Sequence, residues 1–236
     1  HLIGSRSLVW NLAKNDIKKK FAGSYFGVVW AFVQPVITVL LYWFVFEKGL
    51  NSKATDLRTG IEIPFVLWLT AGLVPWFYFQ EALNGGTGVL VEYSYLVKKV
   101  VFQIDMLPVV KMISALFTHL FFVAFTIVLF ICMGYMPDWY ALQVIYYSFC
   151  MILFATGLVY ATSAVTVFFR DMKEVVGILL QIGMWVTPIM WNFETMVQIP
   201  GWAIAVLKLN PMYYIVSGYR NALINHIGFW EDMGLT

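Results

Sequence analysis

Apolar residues in this chain come in long unbroken runs, at about residues 27–47, 63–83, 108–134, 141–169 and 175–191. A bilayer core of roughly 30 Å takes about 20 mostly apolar residues as a helix, so the pattern predicts five membrane spans. Hydrocarbon offers no partner to backbone polar groups, and each run must close its hydrogen bonds within itself as a helix. A membrane β-barrel would instead show alternating segments of about ten residues.

Ahead of the first run, residues 7–21 read as an amphipathic helix. Val9, Trp10, Leu12, Ala13, Ile17 and Phe21 gather on one side, with Asn11, Lys14, Asn15, Lys18 and Lys19 opposite; Asp16 and Lys20 intrude on the apolar side. Such a helix can lie in the interface plane with its lysines at the phosphates, either anchoring the chain or docking a cytoplasmic partner.

Within the second run, Pro75 predicts a kink because it lacks an amide donor, and Asn84-Gly85-Gly86-Thr87-Gly88 after it predicts the helix end. Residues 89–101, with Tyr93, Tyr95, Lys98 and Lys99, predict a short helix. It reads either as a loop helix with tyrosines at headgroup depth or as a contact for a soluble motor. Phe169-Arg170-Asp171 makes a tight charged turn between the fourth and fifth runs. After Trp191, residues 192–201 read as a loop. Residues 202–209 are apolar but too short to span, Asn210-Pro211 punctuates them, and residues 212–227 follow, interrupted by Arg220, Asn221 and Asn225. Non-helical backbone survives at membrane depth only where protein or a water cavity covers it. That favours a gate or vestibule over a lipid-facing wall.

Composition agrees with the pattern. Hydrophobic residues make up 61% and charged residues 12%, about half the charge of a soluble domain, which carries about 25%; mean hydropathy is +0.78. The net charge of +2 hides an asymmetry. Arg6, Lys14, Lys18, Lys19 and Lys20 precede the first span, Lys98 and Lys99 sit between the second and third, and Arg170 and Lys173 between the fourth and fifth. The positive-inside rule puts the N-terminus in the cytoplasm, so the residues after Trp191 emerge outside. The basic residues are a topology signal and leave no nucleic-acid footprint. The polar, basic N-terminus does not read as a signal peptide. Cys132 and Cys150 fall within spans and read as small apolar residues. The sequence spacing groups no His, Cys and carboxylate ligands for a metal.

Three ionisable groups fall inside spans. Glu81 and Lys111 lie near cytoplasmic ends and can snorkel, while His119 lies deeper, as an interhelical hydrogen-bonder or a pathway residue. Aromatic residues are 18% of the chain. Those within spans either pack against helices and lipid or offer faces on which sugars stack.

Four stretches together resemble the permease subunit of ABC-2 polysaccharide exporters, the O-antigen and teichoic-acid export family. They are Gly23-Ser24-Tyr25-Phe26-Gly27-Val28-Val29-Trp30 through Pro35, with Phe26 in place of the usual leucine; Ile63-Pro64-Phe65 with Gly72-Leu73-Val74-Pro75-Trp76, followed by Leu96-Val97-Lys98-Lys99-Val100; Phe169-Arg170-Asp171 leading to Thr187-Pro188-Ile189; and Leu209-Asn210-Pro211 followed by Tyr219-Arg220. The resemblance covers nearly the whole chain. It implies an all-α integral membrane protein with the ABC-2 (type V) exporter fold, as one transmembrane domain over residues 1–236. Within it, an interface helix lies in 5–26, five spans with a coupling helix at 89–101 fill 27–191, and outer gate helices lie in 192–236. A sixth span is expected beyond the sequence.

What the resemblance implies for function is a homodimer in the bacterial cytoplasmic membrane with two cytoplasmic ATPase subunits. It would move a lipid-linked glycan, on undecaprenyl diphosphate, outward. This chain has no Gly-x4-Gly-Lys-Ser/Thr phosphate loop, so it is expected to bind no cofactor itself, with ATP and Mg on the partner ATPase. Expected channel residues are Trp30, Tyr42, Trp76, Tyr78 and Trp185. Outer-gate residues are Asn210, Pro211, Tyr219 and Arg220, the last meeting either a substrate anion or a structural partner such as Glu194 or a carbonyl. ATPase-coupling residues are Tyr93, Tyr95, Lys98, Lys99, Arg170 and Asp171. A drug or small-lipid exporter of the same fold is the alternative; a membrane glycosyltransferase or acyltransferase would need clustered acids or His near one face.

Overall fold

The computed structural model describes residues 2–20, 24–94, 104–191 and 200–231. The chain is mostly helical. Helix α1 covers Leu2–Lys20, α2 covers Trp30–Trp43 and continues as a π-turn over Phe44–Gly49, and α3 covers Phe65–Thr87. A short α4 (Val89–Glu92) precedes α5 (Leu107–Cys132) and α6 (Gln143–Phe168), and α7 runs Met172–Val186. Last come α8 (Gly201–Lys208) and α9 (Pro211–Arg220), the latter continuing as a π-turn over Asn221–Asn225.

Three of these segments are long and apolar enough to cross a membrane: Trp30–Gly49, Ile104–Cys132 and Trp139–Phe168. They expose large apolar side chains such as Leu40, Leu41, Phe44, Leu120, Val128, Ile145 and Leu153, which hydrocarbon rather than water accommodates. The other two expected spans form shorter or more polar helices. Helix α3 has 23 residues, but Thr70, Gly72, Pro75, Gln80, Glu81 and Asn84 lower its hydropathy. Leu67, Leu69, Ala71, Leu73 and Ala82 on it are fully buried, and a helix enclosed by protein needs no lipid-compatible face. Helix α7 has 15 residues, about 22 Å at 1.5 Å per residue.

Helix α3 runs through Pro75 and ends at Thr87, within residues 84–88, the stretch expected to stop it. Gly86 lies within it because a Cβ there would collide with Val159 of α6. The connection between α2 and α3 contains a short hairpin. Ala54–Thr55 and Glu62–Ile63 pair as a small antiparallel hairpin, with Ala54 opposite Ile63. The Asp56 carboxylate accepts the Arg58 amide (2.8 Å) and the Thr59 hydroxyl (2.6 Å), and Gly60 turns the chain at φ +69°, the left-handed region that glycine enters freely.

The chain divides into two compact units. One comprises His1–Pro35, Tyr78–Leu120 and Ile152–Gln181, the other Val36–Phe77, Phe121–Met151 and Ile182–Thr236. In the first, α1 packs Val9 and Ala13 against Val110 of α5, with Leu12, Val109 and Ile113 around them. Trp10, expected on the apolar side, is 44% exposed and carries the Lys14 ammonium over its ring. The buried stripe of α1 is Val9, Ala13 and Asp16, an i, i+4, i+7 face.

Candidate functional site

In the second unit, three of the sequence stretches converge on Arg220. Helix α9 starts where Asn210 caps it: its Oδ1 accepts the Met212 amide at 3.0 Å, with Pro211 at the first helical turn, a position that suits proline. The Asn210 amide group also donates to the Thr187 hydroxyl at 2.9 Å, which ties the start of α9 to the segment after α7. At the far end of α9 the Arg220 guanidinium donates to the carbonyls of Pro188 (2.6 Å) and Ile189 (2.7 Å), and more weakly to that of Trp68 (3.4 Å). Its carbon lies 3.3 Å from the centroid of the Trp68 ring, a close cation–π contact. Carbonyls left unpaired where α7 unwinds would be costly to bury; a planar fork of donors satisfies two at once. A Cβ at Gly72 would come within 2.8 Å of Arg220 Nη2, so this glycine makes room for the guanidinium. Tyr219, 1% exposed, shares a 2.5 Å hydrogen bond with Ser148 of α6.

Beside Arg220 lies a cavity of about 280 Å3 whose walls include Trp68, Lys208, Tyr213, Ser217, Asn221 and Asn225. The hairpin closes one side of it. The Leu57 amide donates to Asn225 Oδ1 at 3.0 Å, and Arg58 donates to the His226 carbonyl at 2.7 Å. Asn225 in turn donates to Asn221 Oδ1 at 2.8 Å. Burial alone would raise the Asp56 carboxyl. Hydrogen bonds from the Thr59 hydroxyl and the Arg58 and Thr59 amides, with nearby His226, outweigh it and hold Asp56 below its ordinary value.

In the first unit a charged cluster joins α1, α4 and α5. Asp16, 7% exposed, accepts hydrogen bonds from the Tyr93 hydroxyl (2.9 Å) and the Lys111 ammonium (2.6 Å). Lys111 also reaches Glu92 at 3.0 Å. The ammonium groups of Lys19 and Lys111 each lie 5.5 Å from the Tyr93 ring centroid. Asp16 is therefore the polar anchor of α1, and Lys111 pairs inside protein where snorkelling to a headgroup was expected. The turn between α6 and α7 belongs to the same unit. Arg170 and Asp171 are exposed on it, Phe168 is 91% exposed, and the Lys173 stem lies beside Gly88.

The expected site residues divide as follows. Asn210, Tyr219 and Arg220 are each held by hydrogen bonds, and Arg220 takes carbonyl partners; Glu194 lies outside the described residues. Among the expected channel aromatics, Trp76 and Tyr78 are each 2% exposed, while Trp30 and Trp185 lie at the surface and Tyr42 is half-buried. Tyr78 packs edge-on against buried His119, 5.2 Å between centroids. Tyr93 is enclosed and serves Asp16 rather than presenting a free face. Tyr95, Lys98, Lys99 and the rest of the expected helix beyond residue 94 lie outside the described residues. Sequence reasoning missed Asp16, Trp68 and Asn225. For Asp16 the signal was present, as a carboxylate on an otherwise apolar face.

Both clusters are made of positioning contacts between helices in a chain rich in apolar segments, the character of a helical membrane protein. Residues 7–224 match the ABC-2 type transporter family, and the chain belongs to it. Among its relatives is the O-antigen export system permease protein RfbA of Myxococcus xanthus, 25% identical over 221 residues, which span 94% of this chain and 82% of that protein. Two proteins of the same name from Klebsiella pneumoniae are 21% identical over 228 residues (95% and 83% of the two chains) and 20% identical over 218 residues (91% and 79%). The chain is thus a multi-pass membrane protein of a transporter family.

Proposed function

We propose that the chain is the permease subunit of an ATP-driven exporter that moves a lipid-linked glycan from the cytoplasmic side outward. It works as two copies with two separate ATPase subunits, which bind the ATP and Mg. The observation that carries this reading is the near full-length similarity to permeases named for O-antigen export. The glycan is a cell-surface polysaccharide on a diphosphate polyprenyl carrier such as undecaprenyl diphosphate.

In this reading the N-terminus and the α6–α7 turn are cytoplasmic, in keeping with their basic residues. Helices α3 and α7 cross the membrane with α2, α5 and α6, α3 doing so while enclosed by protein. The segment from α4 onward, including Tyr95, Lys98 and Lys99, meets the ATPase together with Arg170 and Asp171. Tyr93 acts one step behind, passing motion of that segment to α1 through Asp16. Helices α8 and α9 form the outer gate. Trp30, Tyr42 and Trp185 are the channel aromatics; Trp76 and Tyr78 hold α3 in place.

The test is copurification of the full-length permease in lipid with the ATPase encoded beside it, and ATP hydrolysis of the complex. A Tyr95→Ala/Lys98→Ala variant is expected to fold but to lose assembly or lipid-dependent hydrolysis. A folded permease that recruits no ATPase would overturn the reading. Hydrolysis stimulated by a short lipid and not by a lipid-linked glycan would replace the glycan with a small lipid as cargo.

A further inference from the structure

We propose that the cavity beside Arg220 binds one anionic sugar unit, a hexose-sized group bearing phosphate or carboxylate. The physiological source of that unit rests on the export reading above; the recognition chemistry stands on the cavity itself.

Size and charge point the same way. At about 280 Å3 the cavity falls just below the span of small-molecule pockets, which run roughly 300–1,000 Å3, and has room for a single monosaccharide rather than a stretch of polymer. Its charged wall residues are Lys208 and Arg220, and no carboxylate lines it among the described residues. Arg220 is 7% exposed. It carries five N–H groups, of which three face the carbonyls of Trp68, Pro188 and Ile189. Among the described residues no carboxylate pairs with it, although a buried cation is ordinarily paired. An anion entering the cavity would supply that charge through charge-assisted hydrogen bonds.

The remaining wall chemistry suits a sugar. Tyr213 offers an aromatic ring and Ser217, Asn221 and Asn225 offer hydroxyl and amide groups, the combination that meets the apolar face and hydroxyl edge of a pyranose. The site is also preorganised. Arg220 is pinned by carbonyls and the Trp68 ring, and Asn225 is held by the hairpin and directed at Asn221. Little ordering is left for a ligand to impose.

The experiment measures binding of glucose 1-phosphate, glucuronate, glucose and inorganic phosphate to the full-length permease in lipid nanodiscs without ATPase, by calorimetry and saturation-transfer NMR. Both anionic sugars should bind saturably, with glucose and inorganic phosphate each about tenfold weaker or more, the loss expected on removing a charge-assisted contact or the sugar contacts. Preference for glucose 1-phosphate over glucuronate would indicate the carrier-linked phosphate as the natural source, and the reverse a uronic acid in the glycan. Ser217→Leu, which fills the cavity, should abolish binding. Lys208→Gln, at a half-exposed position, should weaken it about three- to tenfold. Absence of saturable binding, equal binding by a folded Ser217→Leu variant, or inorganic phosphate binding as well as the sugar phosphate would each overturn the proposal. Because no ATPase is present, failure of the export reading leaves this result standing, and the reverse also holds.

Discussion

Asp16 of α1 and Lys111 of α5 form a 2.6 Å ion pair whose side chains are only 10% and 13% exposed. The pair joins the N-terminal helix to a membrane helix ninety-five positions away. A pair so enclosed is held by geometry and by the extra hydrogen bond from Tyr93, because the desolvation of two charges offsets much of their attraction.

Removing one partner should cost more than removing both. Asp16→Leu or Lys111→Met leaves a charge largely buried and is expected to destabilise by about 3 kcal/mol, as for other broken buried pairs. The combined Asp16→Leu/Lys111→Met protein should lose less than the sum. Thermal unfolding of the four proteins in one detergent gives the coupling directly; additive losses would mean that the pair carries no mutual interaction.

Gly72 and Arg220 make a second coupled position. Gly72→Ala places a methyl 2.8 Å from Nη2, so the guanidinium must move away from its carbonyls. The expected loss is about 1–3 kcal/mol, typical of overpacking. Arg220→Lys is expected to be at least as damaging, since one ammonium cannot reproduce a planar fork. Melting temperatures of the two single variants and the double test this, with a double no worse than Arg220→Lys alone as the expected result.

Asn210 serves both as helix cap and as the link to Thr187. Asn210→Ala should therefore lose somewhat more than the ~1 kcal/mol of an ordinary cap. Asn210→Asp should keep the cap, because its carboxylate still accepts the Met212 amide, but lose the donor to Thr187. Amide exchange at the start of α9 should rise strongly in the first variant and slightly in the second.

Asp56 sets a pH dependence at the hairpin. Its pKa in the folded protein is lowered, so the unfolded chain takes up the proton first as pH falls. The group stabilises the fold fully above the ordinary aspartate pKa of about 3.9. That contribution shrinks below this value and is gone once pH has fallen through the lowered pKa of the folded state. Asp56→Asn should be less stable than the parent at neutral pH, and the difference should narrow below about pH 4. Unfolding curves across that range check it; a difference that stays constant would place the hairpin's stability elsewhere.

The run lengths in the sequence determined that this is a helical membrane protein, and they located α2, α5 and α6 to within a few residues, because hydrocarbon imposes its own length and polarity on any helix that faces it. The break read at Asn210-Pro211 falls at the start of α9, since capping is a local interaction. The enclosed helix was harder to read. What surrounds α3 is protein, so its sequence is free to carry Thr70, Gly72 and Glu81, and Gly86 is kept by the nearness of Val159 instead of by any need to turn. Only the tertiary structure decided that Asp16 and Lys111 are partners, that Tyr93 faces inward, and that Arg220 sits on Trp68 against the carbonyls of Pro188 and Ile189. Each of these depends on side chains dozens of positions apart meeting at a distance of a few ångströms, which helix rotation sets and local hydropathy does not encode.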